Sequence, residues 1–265
     1  LAKALGPHRH EVLIATKFGY DFYTHTQRQG HQERPQRFEP DFIRFACEQS
    51  LRRLKTDYLD LYQLHNPRLD AVRKDEVFDT LRQLQKEGKV RYVGVALGPD
   101  IGWFEEGEAA MRERRVDSLQ IIYSILEQQP ARQFFPIAHE TQVGMLARVP
   151  HASEVLTDQF LERPPQFEAG DHRSFRRQEW LRRAVQKARR VRFLAEGTGR
   201  TLAQAAIQFC LSEPLVCAVL PNITSMEQLV EYTAAVDTPP LTQEELAQLR
   251  ELYDRDFDLE PEPAR

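Results

Sequence analysis

The chain has 265 residues, 41% hydrophobic and 29% charged, with a net charge of -4 at pH 7. This is enough apolar material for a sizeable core and a length ordinary for one α/β barrel domain. A mean hydropathy of -0.56 and no apolar run near the ~20 residues that span a bilayer argue for a soluble protein. The pI of about 6.1 calls for neither nucleic acid nor an anionic membrane as partner.

The first segment, "LAKALGPHRHEV", has no signal-peptide h-region. "VLIATK", Val12 to Lys17, reads as the first strand, and a polar loop follows from Gly19 to Arg37. Pro40 opens a helix, the position proline favours. Along it Phe42, Ile43, Ala46, Cys47, Ser50, Leu51 and Leu54 recur at helical spacing. "YLDLYQLH", Tyr58 to His65, is the next strand. A helix from about Asp75 to Glu87 stops at Gly88. Strand "VRYVGVAL", a helix near Trp103 to Arg114, strand "SLQIIY", a short helical turn near Gln133 and strand "QVGMLARV" follow. A Pro- and charge-rich loop is expected from His151 to Arg173, then helices over Ser174 to Glu196 and Thr201 to Ser212. The last strand is "VCAVL", Val216 to Leu220. Ser225 with Gln228, and Thr242 with Glu245, predict two capping boxes. The tail "EPEPAR" is expected to fray.

This βαβα order predicts an α/β fold, a parallel sheet or barrel with right-handed crossovers, over residues 1–265 as a single domain. About six strands are legible, where a closed (β/α)8 barrel has eight. Cys47, Cys210 and Cys217 sit in apolar contexts without a CxxC pair and read as reduced core residues of a cytoplasmic protein.

Strand periodicity locates the chemistry. Counting back by twos from His65 gives Gln63, Leu61 and Leu59; from Lys17 it gives Ala15 and Leu13. Each strand thus ends in an ionisable residue on a mainly apolar face, at the strand end where parallel α/β folds bind ligands. The bland alternative is a hydrogen-bonded core histidine and a snorkelling lysine. "VLPNITSMEQL" is a strand, a turn and a helix start, which is either a phosphate-binding terminus or a plain capped helix. No HExxH motif is present to suggest a catalytic metal. The basic run "RSFRRQEWLRRAVQKARRVRFL" could suggest nucleic acid. Its stripe of Leu181, Ala184, Val185, Ala188, Val191, Leu194 and Ala195 instead makes it a core-packing helix with a solvated arginine face.

The runs "EVLIATKFG", "SLRRLKTDYLDLYQLHNP", "EGKVRYVGVA" and "LQIIYSILEQ", continued by "LARVP", "GDHRSF", "TLAQAAIQFCL" and "AVLPNITSMEQL", resemble the aldo-keto reductases over nearly the whole chain. The resemblance implies a (β/α)8 barrel of TIM type and reversible hydride transfer between NADPH or NADH and a small-molecule carbonyl. Of the family's catalytic Asp, Tyr, Lys and His, Lys17 matches the Lys and His65 the His. A tyrosine titrates near ~10, and a neighbouring ammonium makes it a better acid. The histidine can orient the carbonyl oxygen. Only sixteen residues precede Lys17, with neither Asp nor Tyr among them, and Tyr20 and Tyr23 follow it. The resemblance therefore implies that two strands, one helix, the Asp and the Tyr lie before Leu1, and that the chain alone lacks efficient activity.

For the cofactor, Gln120 matches the family Gln that bonds the nicotinamide amide, and Ala96-Leu97 stand where Ser-Asn is usual. Arg148 stands where many members stack an aromatic ring. Pro221, Asn222, Thr224, Ser225 and Gln228 follow the family's cofactor-phosphate segment, with Gln228 for a frequent Arg and Tyr232 for a frequent Asn. The alternative is a non-catalytic cofactor-binding or regulatory relative.

Overall fold

The computed structural model describes residues 1–25, 33–98, 101–162 and 178–260. Six strands, β1 (Ala15–Phe18), β2 (Leu59–His65), β3 (Val90–Ala96), β4 (Ser118–Ile122), β5 (Gly144–Arg148) and β6 (Val216–Leu220), form one sheet in the order β1-β2-β3-β4-β5-β6. The helices are α1 (Ala2–Leu5), α2 (Pro40–Leu54), α3 (Leu69–Arg73), α4 (Asp75–Lys86), α5 (Phe104–Arg112), α6 (Gln129–Thr141), α7 (Asp158–Glu162), α8 (Gln178–Arg190), α9 (Leu202–Leu211), α10 (Met226–Thr233) and α11 (Gln243–Asp254). The chain divides into two compact units: Leu1–Ile121 with Arg132–Met145, and Ile122–Ala131 with Leu146–Arg265.

In the first unit β1, β2, β3 and β4 pair in parallel. Tyr62 and Leu64 on the helix-facing side of β2 are fully buried. So are Ile43 and Cys47 on α2, where the predicted spacing puts its apolar stripe. Asp60 anchors the same face. Its carboxylate lies 2.8 Å from Arg9 and 2.9 Å from Arg91, and accepts the Ile14 N–H at 2.9 Å. The Tyr58 ring lies under both guanidiniums, at 3.8 Å from Arg9 and 4.1 Å from Arg91.

In the second unit α9 begins with a complete capping box, the Thr201 hydroxyl taking the Gln204 N–H while the Gln204 side chain takes the Thr201 N–H. Ala203 and Ile207 on α9 pack with Tyr232, Ala235 and Val219. Thr242 and Glu245 form the second predicted box, at the start of α11. The basic helix α8 buries Ala184 and Ala188, with Val191 and Leu194 buried beyond its end. Arg183 and Lys187 pair with Asp256.

Several expectations change. The turn near Gln133 is a 13-residue helix. Pro130 falls in its first turn, where proline is tolerated, and Phe134, Ile137 and Ala138 bury its inner face. The strand expected from Val12 begins at Ala15, and Leu13 is 83% exposed rather than part of an apolar face. Cys47 and Cys210 are buried as expected, but Cys217 is exposed on β6. Short helix α7 lies within the stretch expected as loop, and α3 adds a short helix ahead of α4. The predicted start of the basic helix at Ser174 and the residues 261–265 of the tail lie outside the described residues.

Candidate active site

Parallel pairing sets residues of neighbouring strands side by side on one face. Lys17 pairs with Gln63, Gln63 with Gly94, and Gly94 with Ser118. The next inward row is His65, Ala96 and Gln120. Lys17, His65 and Gln120 therefore share one face of the first unit, at or near the carboxyl ends of β1, β2 and β4, with Lys17 one row beneath His65.

That face is polar where a core would be apolar. Gln63, Ser118 and Gln120 are 1%, 9% and 5% exposed. Gln63 Nε2, Ser118 Oγ and Gln120 Oε1 have no hydrogen-bond partner among the described residues. Each such atom costs about 1–3 kcal/mol when left dry, so the arrangement suits polar groups brought in from outside. Gly94 makes the crowding possible, because a Cβ there would lie 2.3 Å from Ser118 Oγ and 3.2 Å from Gln63 Cγ.

Loop contacts fix the end of β2. Asn66 turns the chain with φ 50, a left-handed conformation asparagine tolerates, and its N–H bonds the Ala96 carbonyl at 2.8 Å. Gln36 Nε2 donates to the carbonyls of His65 and Asn66, at 2.9 and 2.8 Å. The Tyr20 ring stands edge-on to His65 with centroids 4.8 Å apart. Its hydroxyl accepts from Asn66 Nδ2 at 2.9 Å and donates to Glu33. Burial and the Glu33 bond push the Tyr20 phenol up to about 12, which makes it a poor proton donor. Glu33 also pairs with Arg68, whose guanidinium lies 4.2 Å from the Trp103 ring centroid. Trp103 covers Gly98 so closely that a Cβ there would overlap the indole.

Ala96 and Leu97 are buried and bring no polar side chain, and the Leu97 N–H bonds the Gln120 carbonyl at 3.0 Å. Gln120 Oε1 is thus the buried acceptor of the upper row, placed for a carboxamide NH2. In that respect the residues fit a nicotinamide.

The remaining predicted residues belong to the second unit. Arg148 ends β5, and its carbonyl accepts the Tyr123 N–H at 3.2 Å. Pro221, Asn222, Thr224 and Ser225 form the turn between β6 and α10, and Gln228 lies in the helix. Ser225 Oγ caps the helix by accepting the Gln228 N–H. The predicted box is not completed, because Gln228 Oε1 turns to Thr224, taking its N–H at 2.8 Å and its hydroxyl at 2.9 Å. Asn222 Nδ2 donates to Glu154 at 3.5 Å.

Sequence reading missed Ser118, Tyr20 and Glu154. Counting back by two from Gln120 would have found Ser118. Tyr20 stands in a loop just past Lys17, and no local signal marks Glu154, whose φ of 73 is rare for a non-glycine residue. Among the described residues no group of three or more His, Cys, Asp or Glu could hold a metal ion, and no helix is long and apolar enough to cross a membrane.

The sequence model of the Aldo/keto reductase family matches residues 1–254. The oxidoreductase YqkF of Bacillus subtilis (strain 168) is 27% identical over 250 residues, 93% of this chain and 76% of that protein. L-glyceraldehyde 3-phosphate reductase of Escherichia coli (strain K12) is 26% identical over 263 residues, 94% of this chain and 72% of that protein. The holo form of aldo-keto reductase AKR11C1 from Bacillus halodurans superposes with a TM-score of 0.73 at 30% identity, over 95% of this chain and 76% of that one. The glycerol dehydrogenase AKR11B4 from Gluconobacter oxydans, at 22% identity and a TM-score of 0.78, covers 100% of this chain and 79% of its own and supports the fold alone. With a six-stranded βα sheet of (β/α)8 barrel type and a match over residues 1–254, this chain belongs to the aldo/keto reductase family.

Proposed function

We propose that the protein reduces aldehydes or ketones to alcohols with NADH or NADPH as the hydride donor, acting on small carbonyl compounds in the cytoplasm. Membership of an oxidoreductase family supports carbonyl reduction in general. The observation that carries the specific reading is the alignment of Lys17, His65 and Gln120 on one polar face. The free cysteines Cys47, Cys210 and Cys217 support a reducing compartment.

A bound reduced nicotinamide supplies the hydride. Within the first unit, Gln120 Oε1 would accept from the carboxamide and hold the ring. Arg148, Pro221, Asn222, Thr224, Ser225 and Gln228 of the second unit are proposed as cofactor-binding residues in their own right. His65 donates an N–H to the carbonyl oxygen and stabilises the charge that develops there. The Lys17 ammonium, one row below, would favour the phenolate of the tyrosine that the family resemblance implies as the acid, so that this tyrosine's proton passes to the same oxygen.

Mixing the full-length protein with NADH or NADPH and a panel of aromatic and aliphatic aldehydes should lower nicotinamide absorbance. His65→Gln should lower kcat about a hundredfold with the dinucleotide Kd unchanged. Absence of both turnover and dinucleotide binding across the panel rejects the proposal. A second reading, a cofactor-binding relative without catalysis, draws on Ala96 and Leu97, which offer no polar side chain. Dinucleotide binding without turnover would favour it.

A further inference from the structure

We propose that the turn between β6 and α10 rejects the 2′-phosphate of a dinucleotide, so that the protein takes NADH in preference to NADPH. The inference rests on the oxidoreductase reading and on the family resemblance, which implies that this turn is the cofactor-phosphate segment.

The sequence offers an anion the side chains of Asn222, Thr224 and Ser225, and each is committed within the second unit. Asn222 Nδ2 donates to the Glu154 carboxylate at 3.5 Å. The Thr224 N–H and hydroxyl both donate to Gln228 Oε1, at 2.8 and 2.9 Å. Ser225 Oγ is engaged as the helix cap, accepting the Gln228 N–H at 3.2 Å, and Glu227 places a carboxylate in the first turn of α10. The Asn222 acceptor carries a full negative charge, and Glu227 brings a second to the first turn of α10. The stretch Val216 to Val236 contains Glu227 and Glu231 but no Lys or Arg.

A phosphate dianion entering here must break those bonds and then sit beside Glu154 and Glu227. A ribose with a free 2′-hydroxyl meets the opposite situation. It is neutral, and its O–H can donate to a carboxylate, as acidic residues do for NAD elsewhere. Each carboxylate near ~4 Å in water-like surroundings weakens binding about fivefold per unit of negative charge. The expected preference is therefore about tenfold or more.

Direct binding tests this without turnover. NADH and NADPH are titrated into the protein by calorimetry, alongside 5′-AMP and adenosine 2′,5′-bisphosphate, at low and at physiological salt. NADH and 5′-AMP should bind about tenfold more tightly than their 2′-phosphorylated counterparts, with a smaller gap at higher salt. The double variant Glu154→Gln/Glu227→Gln should narrow the gap several-fold by improving NADPH, with NADH little changed. Thermal unfolding confirms that the variant is folded. NADPH binding as tightly as NADH, or a gap indifferent to removing both carboxylates, overturns the inference and leaves the oxidoreductase reading intact. Binding of neither dinucleotide overturns both.

Discussion

Lowering the pH from 7 to 5 should destabilise the protein by about 2 kcal/mol through one side chain, His151. The ring is 3% exposed and lies 4.3 Å from the Tyr232 ring by centroids. Its Nε2 is 3.1 Å from the Ala203 carbonyl, so that nitrogen carries the proton, while the buried Nδ1 has no partner among the described residues. Burial disfavours the imidazolium and pulls the pKa from 6.5 down to about 4, with the Ala203 carbonyl only partly opposing it. Between those values the unfolded chain binds a proton that the folded one refuses, so stability rises with pH there and falls on acidification. Each unit is worth about 1.4 kcal/mol, giving about 2 kcal/mol between pH 6.5 and 5. Asp21 does not confuse the window. Bonds from the Thr24 hydroxyl and backbone hold its carboxyl down to about 2, so its contribution is complete above about pH 4 and is lost only as the pH falls toward 2. Urea denaturation at closely spaced pH values, followed by circular dichroism, reads the slope. His151→Phe keeps the stacking on Tyr232 and should lose the slope at a constant cost from the missing Ala203 bond. An unchanged slope in that variant would refute the reasoning.

Asp60→Ala should cost about 3–5 kcal/mol in urea denaturation, because it strands the buried Arg9 and the Ile14 N–H. Arg91→Ala should cost less than about 1 kcal/mol, since that side chain is 52% exposed and solvent screens the pair. Gly94→Ala should lower the thermal midpoint by an amount equivalent to about 1–3 kcal/mol. Adding Ser118→Gly should recover part of it only, because the Ser118 carbonyl would still lie 2.9 Å from the new Cβ.

Much of this was legible in the sequence because it depends on spacing. Lys17 and His65 stand on one face because side chains alternate along strands, and the register of β1, β2 and β3 preserves that alternation across the sheet. The Thr201 and Thr242 caps follow from residues three apart. What escaped depends on distant partners. Glu154 meets Asn222 across sixty-eight positions, and no local pattern encodes that approach. Gln228 stood at the right spacing for a capping box, yet its amide bonds Thr224 instead, a choice between two nearby donors that spacing leaves open. The helix α6 outgrows the turn expected near Gln133: Pro130 falls in its first turn, and the burial of Phe134 and Ala138 outweighs Pro136.

The one-row offset between Lys17 and His65 has a mechanical reading. Two residues of strand rise, about 7 Å, separate the two rows. Nothing in the backbone brings the Lys17 charge level with the His65 ring; only lysine's four-carbon stem can do so. The height of that charge is therefore a property of the side chain's length, like the arm of a lever. Ornithine, one methylene shorter, would keep the charge and the fold while withdrawing the ammonium from the His65 row.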